Sequence, residues 1–368
     1  MRKRLNKIFE STRAIVSGTP AYVRTYQKLR QSLTKAAQPE FDLVYVMPPK
    51  GLQGWILDAI CREIDTYWDA STRFVAFNEQ LPPAKTYFYS HYGYMRDTVR
   101  QQPHVLHGKN LLFYTHPRDL WYPKEEMLYL MNMADSVISM CSLFVPDLIK
   151  QGVNADHIEV ALVGADADVF QPHTRGSGSV GFCSSYLPRK GGDRILSLVK
   201  SMPHRGFTLC GRKWPEWERF AELNSLSNFK YMDIPYNQYT EFYDSIDVFV
   251  SMSELEGGPV PLIESAMCNA VPVCSNTGHA GDIITHGVNG FLFDISAPIS
   301  EVSTLIDAAF ALTCDVRSTV EHLTWKRFSQ QIQRISAMRQ KDPESNTVST
   351  KVACHLFRNS MSLNPLRV

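Results

Sequence analysis

Twelve short apolar runs, rich in β-branched and aromatic residues, constrain this chain more than any other feature. Six lie at 43–47, 73–77, 86–90, 111–115, 136–140 and 158–163, and six more at 179–183, 207–210, 229–232, 248–251, 271–274 and 290–293. Helical patterns separate them, among them 54–64, 127–134, 192–200, 236–245 and 260–268. Runs apolar on both faces, alternating with helices, belong to parallel sheets covered on both sides. Twelve strands exceed what one such sheet carries comfortably. The pattern therefore predicts an α/β chain of two doubly wound, Rossmann-like domains. The stretch 164–178, GADADVFQPHTRGSG, holds three Gly and one Pro between two strand-like runs and reads as the boundary. The expected layout is a basic segment 1–38, a first domain 39–170, a second domain 171–314, a helix 315–339 packing back across both domains, and a loose tail 340–368. Ligands bind doubly wound sheets at the carboxyl ends of the strands, so two facing domains would enclose a cleft.

Composition narrows the function classes. The 368 residues are 44% hydrophobic and 20% charged, with a net charge of +1, which excludes a nucleic-acid binder working by bulk charge. The balance is uneven: residues 1–38 hold nine Lys or Arg and one acid, Glu10. Within MRKRLNKIFESTRAIV, Arg2, Lys3, Arg4, Lys7 and Arg13 alternate with Leu5, Ile8, Phe9, Ile15 and Val16. Two readings stay open for this segment, peripheral attachment to an anionic membrane or a basic helix packed on the first domain. No apolar run reaches the length of a membrane span, and no signal-peptide core follows the charged start. The expectation is a cytoplasmic protein, peripheral at the inner face of a membrane in the first reading. None of the eight cysteines forms a C-x-x-C pair, which fits buried thiols in a reducing compartment.

The segment 251–294, SMSELEGGPVPLIESAMCNAVPVCSNTGHAGDIITHGVNGFLFD, concentrates the chemistry. A strand ends in a loop carrying Glu254 and Glu256. Gly257 and Gly258 then allow a ligand to approach the backbone closely. Pro259 and Pro261 suit the first turn of a helix that carries Val260, Ile263 and Met267, with Asn269 at its αL cap. The free N–H groups at such a helix start favour an anion. Glu264 lies about 7.5 Å further along the helix axis. Carboxylates suit the donor hydroxyls of sugars, so the arrangement fits a nucleotide diphosphate sugar. The hexose would lie near Glu256, the diphosphate at the helix start and the ribose near Glu264.

This segment resembles the donor-binding region of retaining glycosyltransferases of family 4, the glycosyl transferases group 1, which have the GT-B fold. Their E-x(7)-E is matched by Glu256 and Glu264, with EGGPVPLIE between, and is followed here by AVPV at 270–273 and HGVNGFLFD at 286–294. ADSVISMCS (134–142), GVNADHIEVALVGADADVFQP (152–172) and TEFYDSIDVFVSMSELEG (240–257) extend the resemblance across about 42–330. It implies a donor-binding second domain and an acceptor-side first domain. SVGFCSSYLPRKGGDRILSLVK (179–200) resembles the unit in which the family places an Arg and a Lys on the diphosphate. Lys190 matches the Lys. Ser184 and Ser185 stand where the Arg is usual, and Arg189 or Arg212 is the replacement. In the first domain, Gly54 of MPPKGLQGWILDAICREI matches a glycine loop near the donor phosphate. His116 of LLFYTHPRDL matches a histidine near the hexose, with His91 of FYSHYGY the alternative. The resemblance thus implies Glu256 and His116 as catalytic. It implies Lys190, Arg189, Gly257, Gly258, Pro259, Val260, Glu264 and Gly54 as donor-binding.

No metal and no cofactor is implied beyond the nucleotide sugar itself. Asp166-Ala-Asp168 has D-x-D spacing, but it matches a structural G-x-D of the family. The implied function is metal-independent glycosyl transfer, with retention, from a nucleotide diphosphate sugar to a glycan or lipid-linked glycan, as in polysaccharide biosynthesis. Two rivals stand beside it, a nucleotide-sugar 2-epimerase of the same fold and a non-catalytic glycosyltransferase-like scaffold. The departure at Ser184 and Ser185 favours the scaffold; the Glu256/Glu264 pair opposes it.

Overall fold

The computed structural model describes residues 19–33, 35–50 and 56–338. They group into two compact units: one holds the residues up to Ser139, Val145–Val160 and those from Ser329 onward, the other Met140–Phe144 and Ala161–Phe328.

The first unit runs α1 (Ala21–Gln31), β1 (Phe41–Met47), α2 (Ile56–Thr66), β2 (Thr72–Ala76), β3 (Ala84–Tyr89), α3 (Met95–Gln101), β4 (Lys109–Tyr114), α4 (Lys124–Met133), β5 (Ser136–Ser139), α5 (Val145–Lys150) and β6 (Ile158–Val160). Its six strands are all parallel, in the order β2-β1-β3-β4-β5-β6. Residues 43–47 of β1 are buried, as an apolar run between two helical layers must be. Helix α1 lies on α4: Tyr26 and Tyr22 pack on Tyr129, and the Tyr26 hydroxyl donates to Glu126 at 2.7 Å. Arg96 and Arg100 also pair with Glu126, so that buried carboxylate is neutralised twice.

The second unit runs β7 (Ser179–Cys183), α6 (Gly192–Ser201), β8 (Gly206–Cys210), α7 (Phe220–Asn224), β9 (Phe229–Met232), α8 (Tyr239–Tyr243), β10 (Val248–Ser251), α9 (Val260–Met267), β11 (Val271–Ser275), α10 (Ala280–Ile283), β12 (Phe291–Phe293), α11 (Ile299–Ala311), α12 (Arg317–Val320) and α13 (Trp325–Ala337). Residues of α13 from Ser329 on group with the first unit. There the Ser329 hydroxyl donates to the Ile64 carbonyl at 2.8 Å and the Gln333 amide to the Tyr67 carbonyl at 2.7 Å. The second sheet is also wholly parallel, ordered β12-β11-β10-β7-β8-β9. The linking stretch is tied to it, because Asp247 accepts the Gly176 and Gly178 N–H groups at 2.9 and 2.7 Å.

Both sheets reverse their strand order. The chain steps from β1 out to β2 and returns to β3 on the other side, then from β7 out to β9 and returns to β10. Such a reversal splays the connecting loops apart and opens a crevice at the carboxyl ends. The crevice positions are β1/β3 in the first sheet and β7/β10 in the second.

Each of the twelve apolar runs is a strand. Two expected helices differ. The stretch 236–245 is a 3₁₀ turn, Tyr236–Gln238, followed by the short α8. The expected helix 315–339 is broken into α12 and α13, because Thr324 bridges Ala165 and the Ala165 N–H donates to the Leu323 carbonyl at 3.0 Å. Residues that bond outside a helix cannot continue its ladder. Among the described residues no helix is long and apolar enough to cross a membrane. Residues 1–18 and 339–368, and with them about half of the basic segment and the whole of the tail, lie outside the described residues.

Candidate functional site

The loops after β7 and β10 lie side by side at the second reversal. After β7, residues 184–187 lead into a 3₁₀ turn, Pro188–Lys190, and Gly191 then starts α6 with φ +75°. A Cβ at Gly191 would stand 2.6 Å from the Met252 carbonyl oxygen, so both the backbone sign and the close approach require glycine. The Glu254 N–H donates to the Arg189 carbonyl at 2.8 Å and fixes one loop against the other.

This junction brings three expected residues together. Lys190 Nζ donates to Glu256 Oε1, and Arg189 Nη1 lies 3.2 Å from Glu256 Oε2 while donating to the Leu255 carbonyl. Glu256 is 6% exposed. Burial would raise its pKa, but the charges of Lys190 and Arg189, with hydrogen bonds from Lys190 and Ser253, hold it below the usual carboxylate range. The cluster carries two cations and one anion, a net positive charge beside the start of α9.

Helix α9 begins as its sequence dictates. Pro259 is the N-cap and Pro261 sits in the first turn, where a missing N–H costs nothing. Asn269, with φ +69°, follows the helix end in the αL conformation. Glu264 is only 1% exposed, so it is not the solvated residue that an ordinary strand–helix unit would carry. Tyr236 and Tyr243 each donate a hydroxyl to it at 2.6 Å. Burial raises its pKa to about 7 against the lowering effect of those two bonds. Tyr236 remains 57% exposed beyond the carboxylate, while Tyr243 is fully buried. Gly257, Gly258, Pro259 and Val260 join the two glutamates. A Cβ on Gly258 would come within 2.7 Å of Met140 Cε and 3.2 Å of His279 Nδ1.

The departures expected from the sequence have a structural account. The Ser184 carbonyl accepts from the Trp214 indole at 2.7 Å and lies against Gly211, so this stretch is wedged into the unit. Arg212 is exposed after β8. Asp166 Oδ1 accepts the Asp168 and Val169 N–H groups at 2.9 and 3.3 Å, a local turn. Among the described residues no three His, Cys, Asp or Glu side chains gather as a metal site requires.

In the first unit, His91 follows β3 and His116 follows β4. His91, at the strand-order reversal, accepts the Gly93 N–H on Nδ1 at 3.0 Å and stacks on Tyr92. Burial, then the nearby Arg118 and His116, push its pKa down to about 3. His116 Nδ1 lies 2.9 Å from the Pro117 carbonyl and Nε2 lies 3.1 Å from Arg118 Nη2. Both rings are therefore oriented by backbone. Gly54 lies outside the described residues. A cavity of about 1010 Å³ opens at the opposite, amino ends of this sheet, lined by Asp42, Trp68, Lys85, His104 and Lys109 among others. Lys109 is committed there to the carbonyls of Ser336 and Met338, and Lys85 pairs with Asp42.

Sequence reasoning did not reach Tyr236, Tyr243, Thr277 or His279. The tyrosines stand seven apart, a spacing that places two side chains on one face, but the broken helix hid it. Thr277 and His279 carry no local pattern at all.

Residues 172–311 match the family model of the glycosyl transferases group 1. No curated protein sequence matches the chain. Among solved structures, Alr3699/HepE of Anabaena, in complex with UDP and glucose, superposes with a TM-score of 0.64 at 14% identity, covering 82% of this chain and 100% of its own. Sucrose-phosphate synthase from Thermosynechococcus elongatus gives a TM-score of 0.57 at 18% identity, over 68% of this chain and 73% of its own. The lipopolysaccharide outer core galactosyltransferase WaaB, in its apo form, gives 0.59 at 11% identity, over 80% and 98%. The chain thus has the GT-B fold, and its segment 172–311 is similar to the glycosyl transferases group 1.

Proposed function

We propose that this chain is a metal-independent glycosyltransferase. It moves a sugar, with retention, from a nucleotide diphosphate donor to a glycan or lipid-linked glycan. The observation that carries the reading is the pairing of half-buried Lys190 and Arg189 with the buried Glu256 at the β7/β10 reversal, inside the segment that matches the family.

In this reading Lys190, Arg189 and the backbone N–H groups at the start of α9 receive the charge that builds on the departing diphosphate. Fixed donors aimed at developing charge are usually the largest single contribution to catalysis. Glu256, ionised at neutral pH, lies at the hexose and favours the positive charge that grows as the bond to the diphosphate breaks. Glu264 takes the ribose hydroxyls. His116 is the candidate catalytic histidine of the first unit, with His91 as the alternative. The basic, apolar segment 2–16 adds an attraction of about 1 kcal/mol per basic residue to an anionic bilayer, where a lipid-linked acceptor would be found.

UDP-sugars are the first donors to test, because the Anabaena structure holds UDP and glucose. A donor at 100 times its dissociation constant adds about 2.7 kcal/mol of stability. The expected result is a thermal shift with one class of nucleotide sugar and release of its nucleotide diphosphate. Glu256→Gln should keep the shift and lower kcat by roughly 100-fold or more, the scale of one lost electrostatic stabiliser. Full kcat in Glu256→Gln would remove Glu256 from the reacting centre. A donor epimerised rather than transferred would overturn glycosyl transfer.

A further inference from the structure

The strand β11 leaves the sheet through residues 275–279, which run beside the 253–259 loop that carries Glu256. Three side chains, every second residue, bond to that loop at every third residue. The Ser275 hydroxyl donates to the Ser253 carbonyl at 2.6 Å. The Glu256 N–H donates to Thr277 Oγ1 at 3.1 Å. His279 Nε2 lies 3.2 Å from the Pro259 carbonyl, to which it can only donate. Between the last two, Gly278 has φ +59°, and a Cβ there would run into the Gly257 carbonyl oxygen, so the two segments are in van der Waals contact. Ser253, Glu256, Ser275, Thr277 and His279 are all at least 94% buried.

We propose that Thr277 and His279 are positioning residues, which clamp the two ends of the Glu256–Pro259 loop and so fix the Glu256 carboxylate and the start of α9 relative to each other. The remaining atoms of His279 support a constraint rather than packing alone. Its Nδ1 is buried with no hydrogen-bond partner and faces Gly258, whose absent Cβ leaves the ring its space. An unpartnered buried acceptor is costly, and an apolar ring of similar size would avoid the cost. What the imidazole adds is the Nε2–H on the Pro259 carbonyl. Burial keeps the ring neutral, with its pKa pushed down to about 4, so the donor tautomer persists across the physiological range.

The assignment rests on the reading of Glu256 given above, and the test separates the two. Hydrogen exchange of residues 254–260 is measured in the full chain for wild type, Thr277→Val, His279→Phe and His279→Gln. Glutamine returns an N–H donor to the Nε2 position. Thr277→Val and His279→Phe should raise loop exchange by roughly two- to tenfold, the range for one neutral hydrogen bond, while His279→Gln restores it. With whichever nucleotide sugar shifts the wild type, His279→Phe should lower kcat more than it raises the donor KM, and His279→Gln should recover kcat. Unchanged loop exchange in a folded His279→Phe protein, or His279→Gln behaving as His279→Phe, overturns the clamp. If wild type releases nucleotide diphosphate from no donor, the proposed function falls, and loop exchange still decides the clamp.

Discussion

Glu256 and Glu264 are one helical segment apart in sequence and in opposite electrostatic surroundings. Glu256 is held ionised by two cations, so its contribution to stability is present above the usual carboxylate range and is lost as pH falls through its depressed pKa. Glu264 is neutralised by no cation and accepts only hydroxyls, with its pKa at about 7. Between pH about 4.5 and about 7 the folded chain therefore binds a proton that the unfolded chain has released. That contribution is complete below pH 4.5 and disappears as pH rises through 7, a change of about 3 kcal/mol. Glu264→Gln should flatten this part of the stability–pH curve, as measured by urea denaturation. Tyr243→Phe removes a hydroxyl from the ionised carboxylate, so it should cost roughly 1.5–3 kcal/mol at pH 8 and visibly less at pH 5, where the bond is neutral.

At the level of elements, the strands were legible and several helices were not. A strand buried on both faces writes itself as a continuous apolar run, as FDLVYVM of β1 does, and needs no knowledge of its neighbours. The break between α12 and α13 depends on Ala165, some 160 residues away, and no local pattern carries it. The site divides along the same line. Glu256, Glu264, Lys190 and Arg189 stand in motifs, and their loops follow strands. The tyrosines on Glu264 and the bonds from Thr277 and His279 exist only because β11 runs beside β10 and the β9 exit loop reaches α9. The junction of β7 with α6 offers an element-scale test. Gly191→Ala places a Cβ against the Met252 carbonyl at a positive φ, so it should destabilise the chain by about 1–3 kcal/mol in denaturant titrations and weaken nucleotide-diphosphate binding, because Lys190 is its neighbour.

For the whole molecule, charge and chain path matter most. Removing residues 1–18 takes away five of the nine basic residues of the segment 1–38 and leaves α1 on α4. The 19–368 protein should keep the wild-type melting temperature and lose co-sedimentation with anionic vesicles at low salt. Equal binding of both proteins would assign that segment to another role. The path of the chain has a temporal meaning. Ala161–Phe328 stands as an insertion within the other unit, whose last helical segment begins only at Ser329. On a ribosome, the inserted unit can complete its sheet while the surrounding one still lacks the groups that bond to Ile64 and Tyr67. Synthesis and maturation would then run in opposite orders, with the part begun first finished last, and a chain halted before Ser329 would carry a formed second unit on an unfinished first.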